Sequence, residues 1–149
     1  MDTLETTKHV LSYIGFPDAE IEVNDQKDSI AIVVTLSQQD SGVLIGYHGE
    51  RIEALKLLLS LILNQGKSEF VPVSLDVNGY FERRAQSLYE LADQAVEKAA
   101  TSLQEILLPP LSGSERRLVH MYVAEKHPQV TTYSEGEGEA RRLIIRPQA

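Results

Sequence analysis

An apolar run, Val43-Leu44-Ile45, stops at Gly46, and Gly49 three residues later opens a stretch in which Ile52, Leu55, Leu58, Leu59, Ile62 and Leu63 recur at helical spacing. No other segment of the chain limits the fold so closely. The two glycines bracket a tight connection, because a residue without a Cβ takes backbone angles closed to others and lets a ligand come near the main chain. Amides that open a helix carry partial positive charge, so Gly46-Tyr47-His48-Gly49 makes a corner suited to phosphate oxygens. The spacing predicts an amphipathic helix behind it, one face buried and Arg51, Glu53 and Lys56 left outside, so the loop rests on a firm support.

The flanking segments read as an α+β chain. Leu4, Val10, Leu11 and Ile14 predict a helix from Thr3 to Ile14, ended by Gly15-Phe16-Pro17. Alternation in 20–24 and β-branched residues in 29–36 predict an antiparallel pair of strands, and Ser37 to Ser41 caps a short helix leading to Ile45. Val71, Val73, Leu75 and Val77 predict a third strand over 70–77, in which Pro72 belongs at an edge or at the start of the pairing. A first domain then closes at Asn78, and a second runs from Gly79 to the end. The second opens with one long helix, Tyr80 to Leu103, whose stripe is Phe81, Ala85, Leu88, Ala92, Val96 and Ala99. Leu107-Leu108-Pro109-Pro110 stops regular structure. Ser112-Gly113-Ser114-Glu115 then offers a capping box for a helix that reaches His127-Pro128, with His127 expected to cap its end. A strand over 130–133, a Glu/Gly turn and a strand over 141–146 complete a helix-plus-hairpin module.

With 42% hydrophobic residues the chain can build real cores. It has no cysteine, so disulfides, thiolate metal sites and a cysteine nucleophile are excluded. No His/Asp/Glu cluster has metal-ligand spacing, no serine sits in a nucleophile motif, and phosphate-loop and dinucleotide fingerprints are absent. No catalytic residue, metal, cofactor or small-molecule substrate is therefore expected. The acidic start lacks the basic region of a signal peptide, and the apolar stretch 55–63 is too short to span a bilayer, so a cytoplasmic protein without membrane insertion is expected.

The net charge of −8 runs against phosphate binding, but it is uneven. Residues 1–78 hold 5 Lys and Arg against 12 Asp and Glu, whereas residues 79–149 hold 9 against 10. The second half is nearly neutral and clusters its arginines as Arg83-Arg84, Arg116-Arg117, and Arg141-Arg142 with Arg146. Within it, Arg116 and His120 are four apart and lie one above the other on a single helix face. A guanidinium beside an imidazole presents donors to phosphate oxygens, and both can stack on a base. Arg117 lies about 100° round the helix, where it either flanks this face or pairs with an acid such as Glu115. A hairpin folded back on the helix brings Arg141 or Arg142 close.

The order helix, strand, strand, short helix, G-x-x-G, helix, strand resembles the bacterial, type II form of the KH domain, a three-stranded sheet with helices on one face. The segments 115–120, 127–137 and 141–145 are similar to the R-3-H domain, named for an Arg and a His separated by three residues and built as a small sheet with two helices. Leu75-Asp76-Val77-Asn78-Gly79-Tyr80, Glu82-Arg83-Arg84 and Ser87-Leu88 resemble the junction between these two domains in the bacterial Jag (SpoIIIJ-associated, KhpB) family of RNA-binding proteins. The resemblance implies a KH domain over 1–78 and an R-3-H domain over 79–149, in a short form without that family's further N-terminal domain. It implies a non-enzymatic binder of single-stranded RNA or DNA, an RNA chaperone or post-transcriptional regulator, with another KH protein as a partner. Its contact residues fall on Ile45, Gly46, Tyr47, His48, Gly49 and Arg51, and on Arg116, Arg117, His120, Arg141 and Arg142. The family's basic residues between the glycines are replaced here by Tyr47 and His48, so weaker phosphate attraction and more base stacking are expected at that loop. The competing expectation is a protein-binding adaptor in cell-envelope or cell-elongation regulation, which the acidic first half favours.

Overall fold

The structure is a computed structural model that describes residues 2–148. It divides into two compact units between Tyr80 and Phe81.

In the first unit the chain runs α1 (Thr3–Tyr13), β1 (Glu20–Asp25), β2 (Ile30–Thr35), α2 (Gln38–Ile45), a 3-10 turn (Tyr47–Gly49), α3 (Glu50–Asn64) and β3 (Val73–Val77). β2 is the central strand, antiparallel to β1 with Val23 opposite Ile32, and parallel to β3 with Ile32 opposite Leu75. Alternation puts Ile30, Ile32 and Val34 of β2 and Val73, Leu75 and Val77 of β3 on the inner face, where they pack with Leu11, Leu44, Ile45, Ile52, Leu55 and Leu59. Pro72 stands just before β3, and its carbonyl accepts from Ile30 N at 2.9 Å. Strand pairing therefore starts at Val73, after the proline that has no amide to give.

Two expected faces differ from those observed. The buried side of α1 is Thr3, Thr6, Thr7 and Leu11, while Ile14 is exposed. Threonine is tolerated there because Thr7 Oγ1 donates back to Thr3 O and Thr3 Oγ1 donates to Asp25, so the hydroxyls enter the interior hydrogen-bonded. On α3 only Ile52, Leu55 and Leu59 are buried, whereas Leu57, Leu58, Leu61 and Ile62 are exposed. One sheet covers one stripe of a helix, and α3 is apolar over more than one.

The second unit comprises α4 (Tyr80–Ser102), which begins at the division, then β4 (Ile106–Leu107), α5 (Gly113–Lys126), β5 (Val130–Glu135), a 3-10 turn (Gly138–Ala140) and β6 (Arg142–Pro147). β6 is central in the order β4-β6-β5, antiparallel to both neighbours. Leu88, Ala92, Ala95, Val96 and Ala99 of α4 pack with Val119 and Val123 of α5 and with Leu143 and Ile145 of β6. Phe81, at the start of the expected stripe, is exposed. β4 is absent from the sequence reading; with two residues and prolines after it, only its pairing with Ile144 and Ile145 defines it.

Candidate nucleic-acid interface

The first site is the corner between α2 and α3. Gly46 has φ +73° and Gly49 φ +77°, left-handed values that favour glycine, and His48 between them has φ +53°. A Cβ on Gly46 meets Arg51 Cγ at 2.7 Å, and one on Gly49 meets Tyr80 Cε1 at 3.1 Å. The glycines are thus required by the fold as well as by any ligand. Ile45 is buried in the core beneath the loop, Gly49 is buried, and Tyr47 is 70% exposed with its ring 3.9 Å from that of His48 in an edge-on arrangement. Arg51 is exposed, yet its guanidinium donates to Val43 O at 2.8 Å, so it holds a carbonyl in the last turn of α2 as well as facing solvent. Beside the loop an apolar groove of about 350 Å³ is lined by Ile14, Phe16, Val43, Leu44, Ala54, Leu55 and Leu58, with Arg51 among its walls.

The second site lies in the other unit. Ser112 caps α5 and Glu115 returns to Ser112 N at 3.1 Å, the capping box expected there, which fixes the first turn from which Arg116 and Arg117 project. Arg116, Arg117 and His120 of α5, Thr132, Tyr133 and Ser134 of β5, Leu143 of β6, Gly113 and Arg141 line one groove of about 390 Å³. Three arginines and a histidine share it, and no carboxylate is among its lining residues. Arg116 is half-buried and donates to Leu111 O at 2.7 Å, Arg141 donates to Gly136 O at 2.9 Å, and Arg117 is exposed. His120 Nδ1 is hydrogen-bonded to Thr132 Oγ1.

Several arginines are placed elsewhere. Arg142 donates to Glu139 O at 2.7 Å and is not part of the groove, because it is the first residue of β6 and sits one position beyond Arg141. Arg84 is engaged by Glu115 at 2.8 Å and Arg146 by Glu105 at 3.2 Å. Glu115 therefore pairs with Arg84 rather than Arg117. His127 is the C-cap residue of α5 through its backbone, but its ring binds Asp93 of α4 at 2.7 Å, and Tyr122 OH donates to the same carboxylate at 2.9 Å. The His127 hydrogen bond is the main cause that holds Asp93 below the usual carboxylate range, and Asp93 in turn raises Tyr122. Thr132 and Ser134 of the groove were not among the expected contacts, although they lie in the segment 127–137 that resembles the R-3-H domain, since nothing in a Thr-Tyr-Ser run marks which side chain faces a groove.

Residues 6–75 match the family described as KhpA/KhpB, KH domain, and residues 86–147 match the R-3-H domain, in that order. The chain belongs to the KhpB (Jag) family. Proteins named RNA-binding protein KhpB are similar to it: that of Clostridium symbiosum is 33% identical over 128 residues, 86% of this chain and 56% of that protein. That of Bacillus subtilis is 30% identical over 128 residues, 85% of this chain and 61% of the relative. That of Lactiplantibacillus plantarum is 38% identical over 104 residues, 70% of this chain and 32% of the relative. The chain thus spans between about a third and three fifths of these relatives. Among the described residues, no helix is long and apolar enough to cross a membrane, and no group of His, Asp and Glu is arranged to hold a metal ion.

Proposed function

We propose that this KhpB-family chain is a non-enzymatic binder of single-stranded nucleic acid, RNA foremost, acting in the cytoplasm as an RNA chaperone or post-transcriptional regulator. The observation that carries the reading is the groove in which Arg116, Arg117, His120 and Arg141 converge without a carboxylate, in a chain whose net charge is −8. A random solvated surface of so acidic a chain mixes its signs; this one is sorted, and sorted positive charge attracts phosphates locally whatever the total. The relatives' name, RNA-binding protein, agrees with it.

The KH domain, taken as 1–78, contributes a second contact through the backbone of Gly46 and Gly49, with the Tyr47 ring presented outward, His48, Ile45 and Arg51 supporting it, and the apolar groove beside them to receive bases. The R-3-H domain, taken as 79–149, contributes the arginine groove. Another KH protein as partner is supported by the uncovered side of α3, where Leu57 and Leu61 are 62% and 63% exposed next to Leu58 and Ile62. A pure adaptor role leaves the arginine groove without a purpose and is the weaker reading.

The test is fluorescence anisotropy with labelled single-stranded RNA across a salt series. Binding that weakens log-linearly with salt, and that duplex competes for poorly, supports the proposal; no binding by the folded chain at low salt overturns it.

A further inference from the structure

Thr132 is an uncharged residue of the arginine groove, yet it touches the one imidazole there: its Oγ1 is hydrogen-bonded to His120 Nδ1 across the gap between β5 and α5. It reaches His120 because its side chain falls on the helix-covered face of the sheet, in register with Ile145, which is fully buried against α4 and α5. A neutral imidazole has one donor nitrogen and one acceptor, and which is which follows from the hydrogen bond made by the other. If Nδ1 gives its proton to Thr132, Nε2 is left as a lone pair, which repels a phosphate. If Thr132 donates instead, Nε2 carries the proton and becomes a donor without any net charge on the ring.

We propose that Thr132 is a positioning residue of the nucleic-acid groove: it anchors His120 through Nδ1, so that Nε2 is offered as the donor to a phosphate oxygen whether the ring is neutral or protonated. The inference rests on the reading of this groove as a phosphate site. The other charged groups facing the ring are Arg116 and Arg117 on α5 and Arg141 after the hairpin turn, all of them donors with no lone pair to offer the ring. Tyr133, which also lines the groove, has its hydroxyl tied to Glu105 at 2.9 Å. A hydroxyl is the suitable anchor here. A carboxylate in its place pulls the imidazole towards the charged form and adds a negative group to a phosphate site.

The experiment compares Thr132→Val, which keeps the β-branched shape that suits a strand, and Thr132→Ser, which keeps the hydroxyl. ¹⁵N spectra of the ligand-free protein at pH 8.5 read the His120 tautomer. We expect the Nε2–H form in the parent and Thr132→Ser, and a mixture in Thr132→Val. Single-stranded RNA affinity at pH 8.5 is expected to fall about five- to tenfold in Thr132→Val, to be restored in Thr132→Ser, and to be unchanged when Thr132→Val is added to His120→Ala. The gap between parent and Thr132→Val is expected to narrow on acidification once the His120 ¹⁵N shifts show the protonated ring, which has donors on both nitrogens. A tautomer unaffected by Thr132→Val, an equal loss with the ring neutral and with it protonated, or an equal loss in the His120→Ala background overturns the proposal. Tautomer control by Thr132 together with full RNA affinity in His120→Ala instead removes the phosphate site, so the two failures are distinguishable.

Discussion

Arg84 Nε donates to Glu115 Oε1 at 2.8 Å, joining the start of α4 to the first turn of α5 through a carboxylate that is only 7% exposed. Glu115 also closes the capping box on Ser112, so one side chain both starts the helix that bears Arg116, Arg117 and His120 and fixes its position against α4. Arg84→Ala leaves that carboxylate without its cation. The expected loss is about 1 to 3 kcal/mol in the stability of the second unit, read from the denaturant midpoint at constant m-value. Unchanged stability means that the ion pair adds nothing to what the cap supplies.

Charge in the arginine groove is best tested at Arg117 and Arg141, because the Leu111 carbonyl that Arg116 holds lies at the start of α5, whereas the Gly136 carbonyl that Arg141 holds lies in an exposed turn. Arg117→Ala with Arg141→Ala is expected to weaken single-stranded binding by about 1 to 3 kcal/mol and to lower the slope of log affinity against log salt by about 2, with no preference among sequences. An unchanged slope in the folded double variant places the phosphates elsewhere.

At the glycine corner any side chain in place of Gly49 strains the fold, since Gly49 is buried at φ +77° against Tyr80. Gly49→Ala is expected to cost about 1 to 2 kcal/mol in the first unit, measured by thermal unfolding. Tyr47→Ala, at a 70% exposed ring, is expected to leave stability unchanged and to reduce RNA affinity by about 1 to 3 kcal/mol with the salt slope intact, as stacking requires. A reduced slope in Tyr47→Ala counts against a stacking role.

The Asp93 cluster makes the second unit sensitive to pH at both ends. Asp93 is depressed, first by the hydrogen bond from His127, so its contribution is present above its unfolded value of 3.8 and is lost as pH falls through the lower folded value. Tyr122 is raised, first by its hydrogen bond to Asp93, so its contribution is present below its unfolded value of 10.0 and is lost as pH rises through the higher folded value. Asp93→Asn is expected to flatten stability against pH in both windows, and the carboxylate is exposed enough that each change is small. Stability curves of parent and variant that run parallel from pH 2 to 11 exclude the coupling.

Much of this was determined by the sequence alone. The period-2 runs of β2 and β3, the glycine pair, the Ser112/Glu115 capping box and the Arg116/His120 spacing are local patterns, and local patterns follow from backbone geometry within a few residues. Tertiary structure alone decided which of the clustered arginines are available. Arg84 and Arg146 find Glu115 and Glu105, 31 and 41 positions away, while Arg117 and Arg141 share a groove, and nothing in their neighbouring residues distinguishes the two fates. The same holds for Thr132 beneath His120 and for β4, whose two residues become a strand only beside Ile144 and Ile145. Hydrogen bonds and ion pairs between distant segments depend on how the packed elements are placed, and that placement is the result of the whole core of the second unit, a property no short window of residues contains.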